Sequence, residues 1–149
     1  LHTNTAVGAV TALRHLEAQP YLIASALIGV VAQRLVKMIC EECKEPLEVT
    51  PGLKRDLRLP DEAGQTVYRG EGCSACLNTG YSGRRGVFEV LNVNEDLRRL
   101  IIEQADESRL LKEAREHGFE ALHEAALEKV LAGVTSPEEV MRAVYLMDT

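Results

Sequence analysis

The chain has 149 residues, a formal net charge of −6, two Phe, four Tyr and no Trp. That length holds one ordinary domain or two small ones on an aliphatic core. The acidity, concentrated in residues 95–149 with thirteen acids against seven bases, disfavours an electrostatic nucleic-acid binder. The longest apolar stretch, Leu22–Ala32, has eleven residues including a Ser and a Gly, far short of the roughly 20 a bilayer helix needs.

The sequence opens LHTNTAVGAV, with neither a secretory nor a transit-peptide pattern. Thr3 or Asn4 is expected to cap a helix reaching about Ala18, with Val7, Val10, Leu13 and Leu16 on one stripe. Pro20 suits the first turn of a second helix ending near Gly29. The run VVAQRLVKMI then reads as a strand that stops at the first cysteine.

From Cys40 to Cys76 the chain is punctuated by Pro46, Pro51, Gly52, Pro60, Gly64, Gly70 and Gly72, and its short apolar runs predict a segment unable to fold unaided. TGYSGRRG reads as turns, with Gly80, Gly83 and Gly86 supplying positive φ. VFEVLNV follows as a strand in which Val87, Glu89 and Leu91 alternate with Phe88 and Val90. Beyond Asn94 the period becomes helical. Asn94 caps one helix with Leu97, Leu100 and Ile101 inward, and Asp106 or Ser108 starts another that Gly118 stops. A third runs from Glu120 to Ala132. Ser136-Pro137-Glu138-Glu139 then reads as a capping box opening a last helix that buries Val140, Met141, Val144 and Tyr145.

All four cysteines fall in two C-x2-C pairs, Cys40/Cys43 and Cys73/Cys76, separated by 29 residues. Two such knuckles can complete a tetrahedron around one ion, so a structural Zn²⁺ site is the leading reading. Four-thiolate iron shares this spacing. A disulfide framework requires an oxidising compartment, and thioredoxin-type chemistry leaves the second pair unexplained. Lys37, Lys44 and Arg69, with backbone N–H groups, are expected to offset the thiolate charge. Read from spacing alone, the chain is an α/β piece with a zinc knuckle and helices, and a stand-alone zinc-ribbon module binding protein or nucleic acid is the alternative.

The ordered motifs LHTNTAVGAV, AQRLVKMICEECKEP, GCSACLNTGYSGRRGVFEVL and TSPEEVMRAV resemble the traffic ATPases of bacterial type II secretion and type IV pilus assembly across essentially the whole chain. The resemblance implies an α/β, helix-predominant C-terminal part of a RecA-like ATPase domain, with a tetracysteine zinc subdomain and an all-α C-terminal unit. The implied layout is 1–39 for the end of the RecA-like domain, 40–76 for the zinc subdomain, 77–93 for a turn and return strand, and 94–149 for the helical unit. His2 matches the family's His box, which faces the γ-phosphate. Arg34, Arg84 and Arg85 match basic positions, serving either as an edge-strand charge and a solvated turn or as nucleotide or subunit contacts.

The resemblance further implies a homohexamer using ATP and Mg²⁺, with the Walker motifs upstream and no hydrolysis by this chain alone. Its expected partners are an inner-membrane platform protein and the cytoplasmic domain of a membrane-anchored assembly protein. Nucleic acid and direct membrane insertion are not expected, and the location is cytoplasmic, peripheral at the inner membrane. The tetracysteine segment resembles that of assembly motors rather than retraction motors.

Overall fold

The computed structural model describes residues 1–61 and 65–145. Gly64 and the last four positions of the predicted helical unit lie outside the described residues. The order is α1 (Ala6–His15), α2 (Pro20–Ala26), β1 (Gly29–Ile39), β2 (Lys44–Leu47), α3 (Pro51–Asp56), β3 (Val67–Gly70), β4 (Tyr81–Asn92), α4 (Glu95–Ile102), α5 (Glu107–Glu116), α6 (Leu122–Leu131) and α7 (Pro137–Ala143). The chain is thus α/β. Strand β1 pairs with β4, and β2 pairs antiparallel with β3. Among the described residues no helix is long and apolar enough to cross a membrane.

The chain divides into two compact units, one of residues 1–33 with 88–122 and one of residues 34–87 with 123–149. In the first, α1, α2, α4 and α5 bury Val7, Val10, Ile23, Leu91, Leu97, Ile101 and Leu110 in one aliphatic cluster. Local signals place these helices. Asn94 Oδ1 accepts the Leu97 N–H at 2.8 Å, Asp106 Oδ1 accepts the Arg109 N–H at 2.9 Å, and Pro20 occupies the first position of α2. Gly118, at φ +82°, follows the end of α5 in the left-handed region.

Two details at α1 differ from expectation. The cap is Thr5, whose Oγ1 accepts the Gly8 N–H at 3.0 Å, rather than Thr3 or Asn4. The helix also ends before Leu16, which is 68% exposed, because Glu17 turns to φ +60°. Val7 and Val10 of the expected stripe are buried together with Ala6 and Ala9, and Leu13 is half-buried.

In the second unit Val36, Ile39, Val67, Val87, Val130 and Val140 are buried. Helix α7 is fastened to β1 by polar groups. Thr135 Oγ1 donates to the Lys37 carbonyl at 2.7 Å, and Ser136 Oγ accepts the Glu139 N–H at 3.2 Å. The expected capping box is only half formed. Glu139, 3% exposed, accepts the Lys37 N–H at 3.0 Å and two Arg142 N–H groups, because a buried carboxylate is better satisfied by a strand donor and a guanidinium.

The middle segment holds more regular structure than its composition suggests. Thr50 caps α3, with Oγ1 accepting the Leu53 N–H at 3.2 Å, and β2–β3 pairs Lys44 with Gly70 and Leu47 with Val67. The predicted turn SGRRG belongs to β4, which starts at Tyr81. Gly80 and Gly83 do take positive φ, whereas Gly86 does not. Pairing with an eleven-residue β1 outweighs the local turn preference of these glycines.

Candidate functional site

The two cysteine pairs sit on short turns at one end of the β2–β3 ladder. Cys43 precedes Lys44, whose partner Gly70 lies just before Gly72 and Cys73, so the register itself brings the knuckles together. The Glu71 N–H donates to the Cys43 carbonyl at 3.1 Å, and the Cys40 N–H donates to the Gly80 carbonyl at 3.0 Å, tying each knuckle to the other. Residues 74–76 form a single 3-10 turn, after which Leu77 and Asn78 adopt φ of +54° and +61° and reverse the chain. Gly70 and Gly80 allow the closest approach. A Cβ at Gly70 would lie 2.0 Å from the Gly80 carbonyl oxygen, so no side chain fits there.

This backbone aims four sulfurs at one point. Their Sγ atoms lie within 4.8 Å of one another, with Cys40–Cys73 at 3.9 Å, Cys43–Cys76 at 3.8 Å and Cys73–Cys76 at 3.7 Å. None is disulfide-bonded. A tetrahedron with metal–sulfur bonds of about 2.3 Å has edges of about 3.8 Å, so the spacing fits four ligands around one ion. Cys40 and Cys76 are buried and Cys43 and Cys73 half-buried.

Backbone donors complete the shell. The N–H groups of Cys73 and Gly80 each reach Cys76 Sγ at 3.2 Å, and the Gly72 N–H reaches Cys43 Sγ at 3.3 Å. Burial opposes the Cys76 thiolate, yet these two N–H groups and the neighbouring thiols outweigh it and lower its pKa to about 6. At Cys43 the Gly72 N–H favours the thiolate, but burial and the three other sulfurs prevail and push its pKa up to about 12.

The bases expected to neutralise the cluster are engaged elsewhere. Lys44 pairs with Glu41 at 3.5 Å, Arg69 with Glu45 at 2.7 Å, and Lys37 lies 5.6 Å from the Tyr81 ring centre. Side chains at these positions reach the nearest carboxylates and ring more readily than the enclosed sulfurs. The sequence signal for the true donors is glycine. Gly72 and Gly80, at φ +105° and +78°, turn their N–H groups to the sulfurs as only an unhindered backbone does readily.

The remaining predicted positions do not join the cysteines in one cluster. His2 is exposed in the irregular stretch before α1, within the first unit. Arg34 is half-buried on β1, and Arg84 and Arg85 are exposed on β4. Arg84 and Lys37 line a concavity of about 250 Å³ together with Thr79, Tyr81 and Gly83. Lys37 is a cation of that surface which sequence reasoning assigned to the cysteines.

A family model described as type II/IV secretion system protein matches residues 1–142. The chain belongs to the type II/IV secretion system protein family. It is 44% identical over 142 residues to the type II secretion system ATPase E of Vibrio cholerae, covering 95% of this chain and 28% of that protein. It is 38% identical to the type II secretion system protein E of Pseudomonas aeruginosa, with the same coverage of 95% and 28%. The type IV pilus assembly ATPase PilB of Thermus thermophilus is 39% identical, with 95% of this chain and 16% of that protein aligned. The chain therefore spans under a third of the length of these relatives.

Proposed function

We propose that this chain works as the C-terminal portion of a hexameric ATPase that powers type II protein secretion or type IV pilus assembly. Its family membership across residues 1–142 carries the reading, and relatives named as secretion and pilus-assembly ATPases support it. Residues 1–39 then finish the RecA-like motor layer, 40–76 form a zinc subdomain, 77–93 return to the motor layer and 94–149 make the helical unit. ATP and Mg²⁺ are held chiefly by Walker motifs in the rest of the whole protein, so this chain alone does not hydrolyse ATP.

Zinc is the metal that this donor set favours, because four thiolates in a tetrahedron suit it and leave no position open for water. When bound it supplies a cross-link and no catalysis. Cys40, Cys43, Cys73 and Cys76 hold it, and the Gly72, Cys73 and Gly80 N–H groups fix the sulfur lone pairs. His2 donates a hydrogen bond to the γ-phosphate and makes the site sensitive to its presence. Arg34, Arg84 and Arg85 reach a phosphate or a neighbouring subunit, work suited to guanidinium groups. The hexamer acts in the cytoplasm at the inner membrane, against a platform protein and a membrane-anchored assembly protein.

The test is steady-state ATP hydrolysis by the complete protein. His2→Ala is expected to lower kcat by about 100-fold, the usual scale for losing one donor to transition-state charge. Unaltered kcat contradicts the role of His2, and hydrolysis by this chain in isolation contradicts the placement of the catalytic machinery.

A further inference from the structure

Glu89 is a buried acid in the middle of a strand, 2% exposed. A carboxylate so placed is costly unless both oxygens are satisfied. Here each oxygen accepts one backbone N–H: Oε1 from Ala6 at 2.5 Å and Oε2 from Leu122 at 2.8 Å. Ala6 is the first residue of α1 and Leu122 the first of α6. Glu89 therefore receives the leading N–H of two helices, where the aligned peptide dipoles favour negative charge.

The α1 end of this clasp sits beside the proposed site. Helix α1 has no acidic residue in its own first turn, so the charge its N-terminus favours comes from a strand residue 83 positions away. Thr5 closes the same turn through Gly8, leaving Ala6 as the point where the turn is fastened to β4. Only Thr3, Asn4 and Thr5 separate that anchor from His2.

We infer that Glu89 is a positioning residue: its carboxylate, bonded to the Ala6 N–H, fixes the His2–Thr5 segment on the sheet so that the imidazole meets the nucleotide's terminal phosphate. The inference rests on the reading that His2 faces that phosphate. Its chemistry is specific to a carboxylate. Gln in the same place has one acceptor oxygen, and its NH₂ group meets the second N–H donor to donor, so one of the two bonds is lost. A hydrogen-bond donor displaced by about 1 Å can forfeit about 100-fold in rate.

The experiment is a double-mutant cycle in the complete protein, measuring kcat and KM for ATP in the native enzyme, Glu89→Gln, His2→Ala and the pair. Glu89→Gln is expected to lower kcat by about 10- to 100-fold with KM for ATP nearly unchanged. The pair is expected to be no slower than His2→Ala alone, because the two residues act through one contact. Multiplicative losses, or native kcat in Glu89→Gln, overturn the inference while leaving the role of His2 intact. Native kcat in His2→Ala overturns the reading of His2 and the inference with it. Amide hydrogen exchange supplies a second readout. Faster exchange over residues 3–8 in Glu89→Gln is expected, and unchanged exchange there overturns the positioning role. If Glu89→Gln does not fold, Glu89→Asp, shorter by one methylene, is carried through the same cycle and decides by the same outcomes.

Discussion

The helices of the first unit and the cysteine segment of the second are held together by different forces. In the first unit twelve buried residues, none of them charged, form one cluster, so burial of aliphatic area carries the stability. Among the described residues between Cys40 and Gly80 the buried aliphatic side chains are Leu57, Leu59 and Val67. Order there comes from sulfur geometry, N–H groups turned to sulfur, and two glycines packed backbone to backbone. A core tolerates the gradual loss of contacts, whereas a four-ligand site loses its organising ion with a single ligand. The two regions should therefore fail in different ways.

The largest expected effect is on the cysteine side. Cys40→Ser with Cys73→Ser should abolish metal binding and unfold residues 40–76, since structural zinc contributes on the order of 10 kcal/mol or more in zinc-finger peptides. Limited proteolysis checks this, with new cleavage confined to that segment. Protection equal to the native protein would break the contrast. Leu97→Ala, at a site 1% exposed, should cost the first unit about 2–5 kcal/mol in chemical denaturation and leave metal content unchanged. Loss of metal in that variant would show the two regions to be energetically one.

Glu139→Gln should cost about 1–3 kcal/mol at neutral pH, because a buried charge-assisted network loses an acceptor. Burial alone would raise the Glu139 pKa, but Arg142 and the Lys37 N–H hold it below its ordinary 4.5. A lowered folded-state pKa gives stability that is complete above the unfolded value and is lost as pH falls through the folded one. The gap between native and variant should therefore stay level down to about pH 4.5 and close only below it. Denaturation curves across that range measure it. The smallest effect is expected for Arg85→Ala, an exposed strand residue, at within about 0.5 kcal/mol in the same assay.

Local chemistry explains what the sequence made legible. Asn94, Asp106 and Ser136 cap helices with their own side chains, Pro20 opens one, and the cysteine spacing alone pointed to a metal shell. Apart from the cap and the end of α1, which are local, the misreadings involve distant partners. SGRRG looks like a turn until β1 supplies a ladder for it, and Glu139 looks like half of a capping box until Lys37 offers an N–H. Glu89 was visible as one residue of an alternating strand, but the helix starts it fastens lie 83 and 33 positions away. No pattern within a short window encodes such a bond. The neutralisation of the sulfurs was legible only in part: backbone N–H groups were expected beside the bases, but not which ones. Nearby lysines and arginines are conspicuous in a sequence, whereas a backbone N–H becomes a donor only once Gly72 and Gly80 have turned it.

X-ray absorption at the zinc edge, on reduced protein purified without added metal, tests the central claim most directly. One zinc per chain, bound by four sulfurs at about 2.3 Å, is the predicted result. Absence of zinc, or a shell in which nitrogen or oxygen replaces any of the four sulfurs, would contradict it.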